Sequence, residues 1–139
     1  MTQGATVGGL RPIGAGLAIL VAWTVMDALM HRLILAPFYD TSAGLWRPVD
    51  QMNIALIYTV TCVLIGVFVS VYRLLVRPRT LGTGLALGAF LGAALGIASG
   101  AGTYIHMPIA PALAWGWFLG GWLKGIVAGA IMGVMLTEG

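Results

Sequence analysis

The chain has 139 residues, 60% of them hydrophobic and only 8% charged, with a formal net charge of +3. Ordinary soluble domains carry roughly 25% charged residues, so a water-solvated globule is excluded. The length holds one domain at most, and no nucleic-acid partner is expected.

Four apolar stretches follow one another, at about 13–35, 51–76, 80–105 and 110–136. Each exceeds the roughly 20 residues that a membrane-crossing helix needs. The connections are short, so sequence neighbours are expected to lie antiparallel. The predicted fold is all-α: an integral membrane protein, an up-and-down bundle of four transmembrane helices forming a single domain over 1–139.

The first stretch follows Arg11 and has the look of a signal sequence. It is too long for a typical h-region, carries Asp27 and His31, and lacks a small-x-small cleavage site, so it reads as a retained span. His31 lies four residues after Asp27, one helical turn later on the same face, with Thr24 continuing the stripe. The connection that follows, APFYDTSAGLWRPV at 36–49, contains Pro37, Gly44 and Pro48 and is expected to be broken rather than helical. Its Phe38, Tyr39 and Trp46 suit the headgroup level, where aromatic rings have one apolar and one wet side.

The second stretch contains Cys62, the only cysteine, so no intramolecular disulfide forms. Its apolar setting leaves the thiol inert. Arg73, Arg77 and Arg79 surround the turn to the third stretch, whereas Arg32 and Arg47 in the first connection are offset by Asp40 and Asp50. The bias of cations toward the cytoplasm then puts the arginine turn and both termini inside, in a bacterial inner membrane. The opposite, outer face receives the 36–49 segment and the link HMPIAP at 106–111, with Tyr39, Trp46, Tyr104, Trp115 and Trp117 as interface residues.

The third stretch carries Gly84, Gly88, Gly92, Gly96 and Gly100. The fourth carries Gly121, Gly125, Gly129 and Gly133, after Gly116 and Gly120 in an adjacent row. Each interior glycine costs a helix about 1 kcal/mol relative to alanine. In lipid, which gives helices no hydrophobic drive to associate, small residues instead allow close backbone approach. The two ladders predict a tight pairing of the third and fourth spans with a right-handed crossing, and Leu85, Phe90, Leu91, Leu95 and Ile97 turned elsewhere. A second copy of the chain is the other surface that a ladder could meet.

Ionisable groups inside the spans are few, and each is expensive there. Lys124 sits about 20 Å along the fourth span, at 1.5 Å per residue, and Asp27 is the only acidic residue within any span. The two are expected to pair, directly or through water, as a buried ion pair or as part of a proton path. His31 and His106 end the first and third spans, which run in the same direction, so both finish on the outer side. With Asp27 they form a candidate set for a transition metal, or a pair of axial ligands for haem. Met26, Met30, Met107 and Met132 form no dense thioether cluster of the kind that binds copper. Glu138 is the one glutamate and falls outside the bundle.

No phosphate-binding loop, HExxH, paired-cysteine motif or GxSxG elbow is present. The late aspartate departs from the central glutamate of small multidrug transporters. The third span lacks the threonine-serine track of fluoride channels. No nucleophile is evident, so catalysis would depend on a bound metal to supply it. Three functions remain: an accessory or structural subunit of a membrane assembly, in contact with lipid and with other subunits or itself; a haem- or metal-binding membrane protein; and a small oligomeric transporter or channel.

Overall fold

The computed structural model describes residues 4–138, with side chains from Gly9 onward; the termini themselves lie outside the described residues. Every regular element among the described residues is helical: α1 (Gly4–Leu29), continued by a π-helical turn at Met30–Ile34, then α2 (Ala36–Asp40), α3 (Ile54–Leu75), α4 (Leu81–His106) and α5 (Pro111–Met135). Four helices are long and apolar enough to cross a membrane: Gly9–Ile34, Ile54–Leu75, Leu81–His106 and Pro111–Met135. The shortest, α3, has 22 residues and measures about 33 Å at 1.5 Å per residue, against ~30 Å of hydrocarbon. A helix satisfies its backbone groups within itself, so an uninterrupted apolar run of this length favours that state wherever water is scarce.

The helix ends follow local chemistry. Asn53 caps α3, its side-chain oxygen accepting from the Leu56 N–H at 3.0 Å. Thr80 opens α4 with a reciprocal capping box to Thr83. Pro111 stands in the first turn of α5, where its missing N–H costs nothing. The same rule corrects the expectation that 36–49 is broken throughout. Pro37 lies in the first turn of α2 and starts a short helix rather than preventing one. Two 3-10 turns, Ala43–Leu45 and Val49–Gln51, follow it, so α3 begins three residues later than the hydropathy suggests.

The centre of the arrangement is α5, antiparallel to both of its main neighbours. On one side lies α4. A Cβ built on Gly92 would stand 2.7 Å from the Trp122 carbonyl oxygen, and one on Gly133 would stand 2.7 Å from the Leu81 Cα. At Gly84, Gly88, Gly96 and Gly100 the facing atoms are the carbonyls of Gly129, Gly125, Phe118 and Ala114. The five ladder glycines of α4, from Gly84 to Gly100, are all buried. On its other side α5 meets α1 through the second glycine row, where the Met30 side chain covers Gly120 and the Leu35 side chain covers Gly116. Leu91 and Leu95 pack against the inner core, while Phe90 and Ile97 are exposed.

That core occupies the half of the molecule that carries the turn of Arg73, Arg77 and Arg79, called inner here and the opposite half outer purely as labels, where Ile19, Trp23, Phe68, Tyr72 and Met132 are almost wholly enclosed. Trp23 meets Phe68 edge-on with centroids 5.5 Å apart, and the Tyr72 hydroxyl donates to the Thr80 carbonyl at 2.9 Å. A smaller outer cluster surrounds Leu35, Ile109 and Leu113. Met30 and Met107 border it and Met132 sits in the inner core, so these methionines act as packing. Helix α3 joins the rest only by its inner half: Ile65, Phe68, Val69 and Tyr72 are its buried residues, whereas every residue from Ile54 to Val60 is exposed.

Candidate functional site

The polar residues of α1 and α5 meet in the outer half. Lys124 donates through Nζ to both carboxylate oxygens of Asp27, at 2.8 and 2.7 Å. Trp23 positions the lysine twice over. Its indole N–H donates to the Lys124 carbonyl at 2.8 Å, and its ring lies 4.9 Å below Nζ, within cation-π range. Burial is unequal: the Lys124 side chain is 20% exposed and that of Asp27 36%. The lysine is enclosed by protein on most sides, while the carboxylate keeps an open edge.

From Asp27 the polar groups continue outward. His31 Nε2 stands 4.0 Å from Asp27 Oδ1, close enough for charge to be felt and too far for a hydrogen bond. On its other side His31 Nδ1 is 2.6 Å from the Tyr39 hydroxyl, which also accepts the indole N–H of Trp117 at 2.6 Å. An indole only donates, so the phenolic proton is free to point at Nδ1. In a neutral His31 this assigns the ring proton to Nε2, on the side of Asp27. In the chain Lys124, Asp27, His31, Tyr39, Trp117 the donors therefore run toward Asp27 from both ends, with one break of 4.0 Å between its second and third members.

Local structure explains why Tyr39 can reach His31. The Leu35 N–H bonds to the Met30 carbonyl at 2.8 Å, a five-residue step that closes the π-helical turn. A π turn inserts one residue into the helical repeat, shifting the end of α1 so that α2 folds back over it. Tyr39 then sits in an aromatic group with Trp46 at 5.4 Å and Trp117 at 6.3 Å between centroids. Trp46 is fixed in turn by its N–H donating to Ser42 Oγ at 3.0 Å. Burial pushes the Tyr39 phenol above its ordinary value; the Trp117 hydrogen bond pulls it back, and the Asp27 charge adds a further upward push.

Other sequence-derived candidates lie apart from this chain. The Thr24 hydroxyl donates to the Leu20 carbonyl of its own helix at 2.8 Å, so it does not extend the stripe. His106 is exposed as the last residue of α4, and no hydrogen bond or ion pair joins it to His31 among the described residues. No group of three His, Cys, Asp or Glu side chains able to hold a metal occurs among the described residues, so Asp27, His31 and His106 do not form the set that their sequence positions suggested. Tyr104 and Trp115 are exposed and line an apolar groove of about 520 Å³ between the outer ends of α4 and α5. Trp23, Tyr39 as a partner of His31, and the π turn escape sequence reasoning. Tryptophan and tyrosine near an interface have a ready explanation as anchors, and nothing in MHRLI marks a π turn.

No protein-family model matches the chain, and comparison with curated proteins and with solved structures finds no match. The functional reading rests on the geometry alone.

Proposed function

We propose that this chain is a non-catalytic accessory or structural subunit of a membrane assembly, in a bacterial inner membrane with its arginine turn and both termini in the cytoplasm. The observation that carries the reading is the open edge of the polar chain: the side chains of Asp27 and His31 are 36% and 41% exposed. Asp27 lies ~10 Å below the outer end of its span at 1.5 Å per residue. Lipid does not solvate such groups, and ionisable residues within spans characteristically face protein or water. A neighbouring subunit or a second copy supplies the missing cover. The glycine rows support the same reading, since they let α4 and α5 associate without a hydrophobic drive and leave α1 and α3 to present side chains outward.

A transport path is the second reading, favoured by the run of polar groups from Lys124 to Tyr39. It stops halfway. Below Lys124 the space between α1, α3 and α5 is filled by Ile19, Trp23, Phe68, Tyr72 and Met132, so one copy offers an outer half-path and no inner one. A haem or metal role has less support, because His106 does not join His31.

Site-specific photo-crosslinking in native membranes tests the proposal. Probes at Thr24 and Ile57 are expected to capture a polypeptide, and a probe at the exposed Phe90 only lipid. Lipid adducts at all three positions would sink the subunit reading. Proteoliposome flux that depends on pH and disappears in Asp27→Asn would replace it with the transport reading.

A further inference from the structure

The other end of the molecule holds an anion site that its own chain fills. Between α3 and α4, Arg77 and Arg79 converge on one carboxylate oxygen: Glu138 Oε1 accepts from Arg77 Nε at 2.9 Å and from Arg79 Nη2 at 2.7 Å. The guanidinium groups are held in place by the turn itself. Arg77 Nη1 donates to the Arg73 and Val76 carbonyls, both at 2.8 Å, and Arg79 Nη1 to the Arg73 carbonyl at 3.0 Å. The Glu138 N–H reaches the Arg79 carbonyl at 3.4 Å. Arg79 Nε is buried and has no acceptor, so the carboxylate leaves part of the donor set unused. The chain has four acidic residues; Asp27, Asp40 and Asp50 belong to the outer half, which leaves Glu138 alone against Arg73, Arg77 and Arg79.

We infer that this turn binds the phosphate of an anionic phospholipid headgroup, and that Glu138 is a tethered competitor for it. Planar guanidinium forks match the paired oxygens of a phosphate better than a single carboxylate oxygen shared between them. The phosphodiester offers a second anionic oxygen to Arg79 Nε. Free phosphate carries the same chemistry, but the site's surroundings favour lipid. Leu74 and Leu75, between Arg73 and Arg77, are 75% and 77% exposed. Two bare leucines beside a cationic turn suit an acyl chain beneath its headgroup, and basic residues at a span end are placed to meet anionic lipid.

The inference rests on α3 and α4 ending at a bilayer surface. The full chain in non-ionic detergent micelles is titrated with short-chain phosphatidylglycerol, short-chain phosphatidylcholine and inorganic phosphate, with bound ligand counted by native mass spectrometry. Phosphatidylglycerol is expected to bind more tightly than the other two. Glu138→Gln is expected to tighten it about fivefold, the effect of roughly one charge at a membrane surface, and Arg77→Gln/Arg79→Gln to lose the preference. A gain of binding in Glu138→Gln does not arise from misfolding. Equal phosphatidylglycerol affinity in the wild type and Glu138→Gln overturns the competitor role. Phosphatidylcholine or free phosphate binding as tightly as phosphatidylglycerol overturns the lipid assignment. A chain recovered as a detergent-free monomer overturns the membrane reading along with this one, whereas a flat titration in micelles overturns this site alone.

Discussion

Helices α4 and α5 meet without side chains, while α3 is attached only through them. From Gly84 opposite Gly129 to Gly100 opposite Ala114, the first pair is in backbone contact over nearly its whole length. The attachment of α3 consists of Ile65, Phe68, Val69 and Tyr72 at its inner half, and Ile54–Val60 touches little. Glycine takes no room, so the distance between α4 and α5 is set by main-chain atoms that no rotamer change can move aside. Side-chain attachment tolerates adjustment, because neighbouring rotamers and residues can repack around a change of shape. The molecule therefore has one element fixed by the absence of atoms and another held by a local patch of them.

Glycine replacement breaks this comparison most sharply. A Cβ on Gly88 would run into the Gly125 carbonyl, whereas Gly66 on α3 has nothing within 4 Å. Gly88→Leu is expected to cost 3 kcal/mol or more, at about the upper end of overpacking penalties, and to prevent a monodisperse detergent-solubilised fold. Gly66→Ala is expected to be neutral, or stabilising by up to ~1 kcal/mol through helix propensity. Thermal unfolding in detergent measures both. Similar losses at the two positions would show that α3 is as tightly confined as the glycine pair.

The second test lies on the other face of α5, where α1 is held by a mixture of glycine clefts and charge. Lys124→Met leaves the Asp27 carboxylate without its partner and is expected to destabilise by about 2 kcal/mol. That is below the cost for a fully buried pair, because Asp27 is 36% exposed. Asp27→Asn/Lys124→Met removes both charges and is expected to recover most of the loss. Equal damage in the single and double variants would mean that the pair does not act as a unit.

These differences also mark what the sequence could reveal. Four long helices were legible because an apolar run of more than 20 residues has few other ways to satisfy its backbone. Asp27 and Lys124 stood out because charges in such runs are rare. The α2 helix was hidden by reading Pro37 as a breaker without regard to its position in a turn. The link from His31 to Tyr39 depends on the π turn, a backbone choice of Met30–Ile34 for which MHRLI carries no signal. The leaning of α3 was invisible for a related reason: its outer and inner halves are equally apolar, and hydropathy does not report which apolar face meets protein.

Tyr39→Phe separates the outer cluster from the inner core. The phenol takes part in two hydrogen bonds, from Trp117 and with His31, and a typical net contribution is about 1 kcal/mol each. A loss of 1–2 kcal/mol is expected, about that of two such bonds, without disturbing the Trp23–Phe68 contact in the inner half.

The smallest expected effect concerns the same residue and depends on pH. Burial raises the Tyr39 phenol in the folded chain, so the fold favours its neutral form over the ordinary value of about 10. The neutral phenol's contribution is therefore fully present below pH ~10 and declines as pH rises through the higher folded value. The stability difference between wild type and Tyr39→Phe should stay constant through neutral pH and narrow only in alkali, and the phenolate absorbance missing from Tyr39→Phe should develop above pH ~10. A difference spectrum appearing below that value would mean that the hydrogen bond from Trp117 outweighs burial. The aromatic cluster would then be open to water, like the outer half of α3, rather than closed like the core beneath it.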